Sequence, residues 1–385
     1  MKNYFAYRCV LTGVSVWLVI AGSSLAAVEF ARLPQGGVQP QIAIQPDGTV
    51  HLVWLAGEPR AADVMYRLID RREGSSSAPI RVNSQPGSAI AIGTVRGAQL
   101  ACGRKGQIHV VWNGSASALP KATKGVPLLY ARTTEGGMSF TEQQNLAGRT
   151  GDLDGGATVA ADADGRVFVL WHGHLPEAAV GEMGRSVFLA LSQNDGRTFA
   201  PERSIGDTSG ACGCCGMSAG VASDGRIYAL YRSARGGLHR ELSLITSQDH
   251  GASFGVSALQ DWETPNCPMT TSRVVAGSAD EVLTWETRGE IYAQWLPHRG
   301  EPARPVKTVS TKKGSKHPSA AVNGRGETCI TWTEGTGWQR GGKLSWQVFD
   351  AVGTPMSDAG TMTGIEPWNF AACYAKPDGT FVVVY

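Results

Sequence analysis

Three cysteines fall within four positions, Cys212, Cys214 and Cys215, in the stretch GACGCCGMS at residues 210–218. Thiols this close together can close a disulfide, ligate a soft metal as thiolates, or act as redox-active thiols. A second stretch repeats the local pattern. Cys215-Gly216-Met217 and Cys267-Pro268-Met269 are both Cys-x-Met, and a small hydroxyl residue follows each. His317 stands in a third comparable stretch, KHPSAAV. Thiolate, thioether and imidazole together suit copper(I) or another soft metal. The candidate metal set is therefore Cys212, Cys214, Cys215, Met217, Cys267, Met269 and His317. The same residues admit a plainer reading, in which Cys212 or Cys215 bonds Cys267 and the methionines fill gaps. Neighbouring Cys214 and Cys215 join each other only with strain, so one of them is expected to pair elsewhere. A staple with one or two free thiolates beside it is a third arrangement.

The redox compartment bears on this choice. Lys2 and Arg8 precede an apolar run, Cys9–Ala21, and SSLAA places Ser24 and Ala26 ahead of a cut before Ala27. That order reads as a secretory signal over residues 1–26, with 27–385 as one domain in the periplasm or outside the cell. The run is short for a membrane span of about 20 residues, and no other segment is apolar enough to cross. Loss of Cys9 leaves an odd number of the eight cysteines, so at least one is free, metal-bound or paired with another chain. A formal charge of +2 supplies no basic field for nucleic acid or membrane.

What must position these side chains is a repeat. Seven segments share one form, a run of small residues, a turn, and an apolar strand closing on an aromatic: Trp54, Trp112, Trp171, Tyr231, Trp285, Trp332 and Tyr385. IAIQPDGTVHLVW and VAADADGRVFVLW are examples; DG turns tolerate positive φ, and the following runs are β-branched and aromatic. With further strand-like runs after each hairpin, the period of roughly 55 residues predicts an all-β, seven-bladed propeller. Six blades and a leftover hairpin form the alternative. Val28–Pro34 is expected to close the ring as the outer strand of the last blade. Alignment on the closing aromatics puts the cysteine stretch just ahead of the innermost strand of blade four, Cys267 ahead of blade five and His317 ahead of blade six. All then meet at one rim of the channel. The loops holding His172, His174 and His239 open on that face, making them candidate ligand-binding residues. Cys102, Cys329 and Cys373 fall inside strands and read as core thiols.

SQDHGASF (Ser247–Phe254) fits S-x-D-x-G-x-[ST]-[WF]; SQNDGRTF (Ser192–Phe199) and TTEGGMSF (Thr133–Phe140) match with Asn194 and Glu135 in the Asp place. In step with the blades, these resemble the Asp-box of sialidase-like (BNR-repeat) propellers. The box itself is structural, through an acidic or amide side chain that bonds its own turn. The resemblance implies, for an active member, three arginines on a sugar carboxylate, a Tyr–Glu nucleophile pair and an Asp acid/base. FARLP (Phe30–Pro34) matches the family's FRIP-like motif in part, with Ala31 between Phe30 and Arg32. On this basis Arg32 and Arg232 are candidate clamps and Glu290 with Tyr292 the candidate nucleophile pair; Arg235, Arg240, Arg273 and Arg288 cannot be ordered into the clamp. Three functions remain open: an exported propeller binding a small molecule or soft metal through its cysteine cluster, a sialidase-type glycoside hydrolase acting on acidic sugars, and a protein-docking propeller.

Overall fold

The repeat folds at its glycine turns. In Gln45–Thr49 the Gly48 φ of +95° lets its N–H donate to the Gln45 carbonyl at 2.9 Å, joining strand Val38–Ile44 to Val50–Glu58. The structure is a computed structural model describing residues 27–34, 36–137, 139–206, 210–276, 281–296 and 303–385. The signal expected over residues 1–26 lies outside them.

Seven sheets follow one another around an axis. Their innermost strands are Val38–Ile44, Gln99–Cys102, Thr158–Ala161, Ser218–Val221, Ser272–Val275, Ser315–Val322 and Ala372–Ala375, which number blades 1 to 7. Six sheets have four antiparallel strands in sequence order, so the seven-blade expectation holds and the six-blade alternative falls. Blade 7 differs. Val28–Ala31 pairs in parallel with Phe381–Val384, as the third strand of a three-stranded sheet. The expected ring closure therefore forms, over a shorter strand than Val28–Pro34. Its direction has a simple cause: the segment must run on into blade 1, as the fourth strand of every other blade runs into its successor, yet it sits in a third strand's place.

The core lies between blades. Second strands are buried on both faces: Val167–Gly173 and Ile227–Arg232 are buried throughout. The closing aromatics Trp54, Trp112, Trp171, Tyr231 and Trp285 are at most 2% exposed. On the side away from the cysteine rim, Ser247 Oγ lies 2.8 Å from Asp249 Oδ1, which accepts the Ser253 N–H at 2.9 Å, while the Gly251 N–H donates to Ser247 Oγ. Asn194 accepts the Thr198 N–H at 3.0 Å in the same way. Phe140 and Phe199 from the corresponding turns stand edge-on against Tyr66 and Tyr130 of the preceding blades. Those tyrosines reach His51 and His109 Nδ1 at 2.7 Å each, burying two imidazoles. Among the described residues no helix is long and apolar enough to cross a membrane.

Candidate functional site

The loop 210–217 leads into blade 4 and is held by backbone bonds on three sides. Cys212 N–H donates to the Arg232 carbonyl, Cys215 N–H to the Cys212 carbonyl, and Gly216 N–H to the Thr270 carbonyl of the next loop. The tight turn brings residues three apart together. Cys212 Sγ lies 3.2 Å from Cys215 Sγ and 3.4 Å from Cys214 Sγ. Cys214 is bonded to Cys267, with Cα atoms 6.5 Å apart, which ties the loops of blades 4 and 5. The staple thus uses Cys214 rather than Cys212 or Cys215, because the turn directs those two sulfurs toward each other. Both stay free and are buried. Ala234 and Met269 pack against this group.

A positive charge stands beside the free pair. Arg232, at 2% exposure, donates to Thr270 Oγ1 at 2.9 Å, to the Arg240 and Glu286 carbonyls at 2.6 Å and to Thr287 Oγ1 at 3.1 Å. Trp262 covers its guanidinium at 5.1 Å. Burial pushes the Cys215 thiol up, but the bond from Cys212, the Arg232 charge and the Thr270 donors outweigh it and bring it down to about 7. Cys212, which donates that bond and is itself buried, is pushed up. The first proton of the pair therefore leaves through the neutral range, and the negative charge this creates on the two sulfurs faces the Arg232 guanidinium.

The structure divides the other candidates. Met217 packs in the blade 3–4 core with Leu170 and Tyr231, and also lines the central cavity. His317 lines that cavity too, with Nδ1 3.2 Å from Thr271 Oγ1. Neither joins the sulfur group. His172 does touch it, through Nε2 at 2.9 Å from the Cys215 carbonyl. His174 Nε2 instead meets the Gly181 carbonyl at 2.5 Å, and His239 Nδ1 faces Glu263 at 3.2 Å. Arg32 lies over the Tyr385 ring at 5.1 Å in blade 7 and among the described residues shares no partner with Arg232, whose four hydrogen bonds all go to blades 4 and 5. Tyr292 donates to Glu290 Oε2 at 2.7 Å, so that pair exists, but Tyr292 stacks on Trp285 and Glu290 is bound by Lys313. The supporting residue that carried no sequence signal is Glu182. It accepts the Gly213 N–H at 3.1 Å and pairs with Arg240 at 2.5 Å, holding the cysteine turn from blade 3.

Replacing Cys267 with serine is expected to lower folding stability by about 4 kcal/mol, from the entropy of closing a separation of 53 residues. Urea unfolding of Cys267→Ser against the parent, both oxidised, measures it. Cys212→Ser leaves that crosslink in place, so a similar loss there contradicts the pairing.

No protein-family model and no curated protein sequence matches the chain. Solved structures do share its shape. A Hadza microbial sialidase superposes with a TM-score of 0.51 at 14% identity, over 85% of this chain and 72% of that one. An α-L-arabinanase of Penicillium chrysogenum complexed with arabinobiose gives 0.52 at 12% identity, over 83% and 94%. The Aleuria aurantia lectin in complex with Fucalpha1-6GlcNAc gives 0.50 at 11% identity, over 86% and 96%. Identities this low speak for shape alone. The chain is a seven-bladed β-propeller similar in fold to the sialidases and related sugar-active propellers.

Proposed function

We propose that the protein is an exported propeller that binds one soft metal ion, copper(I) foremost, at the mouth of its channel. Cys212 and Cys215 are the thiolate ligands and the Met269 thioether is the weaker third. The observation that carries this reading is the pair of unbonded sulfurs 3.2 Å apart, walled by Met269 and flanked by the Arg232 charge. A disulfide scaffold alone requires none of these. With Cys214 and Cys267 bonded to each other, two free thiols remain to be deprotonated on binding, which suits a low-coordinate soft ion better than zinc, whose structural sites take four ligands. The metal would supply a polarizable acceptor for sulfur; the chain supplies two adjacent buried thiols that need only part slightly to admit it, a compensating cation and the Met269 wall.

Competition of the protein against a copper(I) chelator, with the Cys214–Cys267 bond intact and Cys212 and Cys215 as free thiols, tests this. Cys212→Ser/Cys215→Ser is expected to lose at least about 100-fold in affinity, and Met269→Leu a smaller, several-fold part. Equal affinity of the double variant and the parent overturns the proposal. Sialidase-type hydrolysis is the second reading, favoured by the Tyr292–Glu290 hydrogen bond at 2.7 Å. Turnover of a fluorogenic sialoside that disappears in Tyr292→Phe would establish it in place of the first.

A further inference from the structure

The central channel holds a cation that, among the described residues, no aspartate or glutamate balances. Arg273 lies on the innermost strand of blade 5 and reaches across the axis to blade 1. Its Nη1 donates to Gln41 Oε1 at 2.6 Å and its Nη2 to the Ile42 carbonyl at 2.7 Å. Both acceptors are neutral. Arg273 Nε is buried without a hydrogen-bond partner, and so is the adjacent Ser272 Oγ. Arg273 and Ser272 line a cavity of about 30 Å³ together with Gln39, Gln99, His317 and Ser319, and no aspartate or glutamate belongs to its lining. Burial holds the Arg273 charge under strain from desolvation, and the His317 ring is neutral for the same reason, its pKa lowered to about 3.

A buried charge without a partner is costly, and unpaired buried donors add to that cost. The same two features describe a receptor for a negative ion, since Arg273 Nε and Ser272 Oγ can both donate; the third unmet atom on the lining, Gln39 Oε1, is an acceptor. Size narrows the class. One water requires about 10–15 Å³ of such space, so this cavity takes one small ion or a couple of waters and excludes a saccharide or a nucleotide. Arg273 Nε and Ser272 Oγ are themselves buried, and the lower dielectric around buried atoms strengthens the attraction between guanidinium and ion.

We propose that the channel contains a binding site for a single small inorganic anion, chloride being the representative, with Arg273 as its counter-charge and Ser272 as a second donor. Its occupant joins blades 5 and 1 across the axis and so bears on the closure of the ring. The proposal is independent of the cysteine pair.

The test uses the full chain, with chloride exchanged for gluconate at constant ionic strength. The thermal midpoint of the parent is expected to rise with chloride and saturate, and Arg273→Gln to lose that dependence, with at least about a tenfold higher chloride requirement. An unchanged parent midpoint overturns the proposal, as does an Arg273→Gln variant with the parental response. Should that variant fail to fold, a bromide-soaked crystal of the parent decides. An anomalous peak beside the Arg273 guanidinium upholds the site, and an empty channel at that place overturns it.

Discussion

Acidification from pH 6.5 to 5 is expected to remove on the order of 5 kcal/mol of folding stability, comparable with the whole stability of many domains. Four buried imidazoles are responsible. His51 and His172 are lowered to about 4, and His109 and His317 to about 3, in each case chiefly because burial penalises the charged ring. The sign follows from the reference state. In the unfolded chain all four protonate near 6.5, whereas in the fold they stay neutral until the pH approaches 4 or 3. Between those limits the unfolded chain binds more protons, so stability falls as pH falls; the slope is half-developed at 6.5 and fades within about one pH unit above it. Each site costs up to about 1.4 kcal/mol per pH unit in that window. Glu286 works the other way, because burial raises its carboxyl above the usual range and the fold takes up its proton first. Urea unfolding at a series of pH values should therefore show a net uptake of more than two protons on unfolding near pH 5. His109→Gln, which leaves Tyr130 a polar neighbour, should remove about one of them. An uptake below one proton near pH 5 contradicts the buried, neutral state of these rings.

The residues that make this so were visible in the sequence as part of the repeat, but not as a group. TVHLVW and QIHVVW displayed His51 and His109 as members of apolar strands; the alternation of a strand says which face a side chain takes, and nothing in it names the tyrosine across the sheet. The blade count was legible because each hairpin closes with its own aromatic, and because glycine turns fix where strands end. The single rim shared by Cys212, Cys214, Cys215 and Cys267 followed from that count, since every loop leading into a blade opens on the same face. Which sulfur pairs with which did not follow. That depends on a turn of four residues, set by bonds to the Arg232 and Thr270 carbonyls, and backbone bonds between loops leave no mark on composition. The same limit separates Met269 from Met217. Both stand two residues after a cysteine, yet Met269 lies against the sulfurs and Met217 in the core, because Met217 directly precedes the strand Ser218–Val221 while Met269 takes a φ of +50° in its loop. The arginines show it most plainly. Arg232 ends a buried strand and Arg273 lies in the channel, and only the fold distinguishes a hub from a counter-charge.

Arg232→Met is expected to cost about 3–5 kcal/mol, the loss typical of breaking a buried charged network. The substitution preserves much of the side-chain volume, so the effect isolates the guanidinium. Without it the Arg240 and Glu286 carbonyls and the Thr270 and Thr287 hydroxyls lose a shared donor. Arg232→Lys keeps the charge but offers a point donor in place of a planar fork, and should fall between the two. Stability alone would not separate a packing role from an electrostatic one, so a second readout is needed. The Arg232 charge helps to hold Cys215 at about 7 against its burial. Thiolate absorbance of the metal-free protein, followed through the neutral range, should show one sulfur ionising in the parent and that titration moving upward in Arg232→Met while Arg232→Lys stays near the parent. If Arg232→Met unfolds within about 1 kcal/mol of the parent, the hub is not buried as described. If it is destabilised but the thiol titrates unchanged, the charge beside the sulfurs does not govern them, and the balance between the thiolate pair and its neighbouring cation has to be sought in the hydrogen bonds from Cys212 and Thr270 instead.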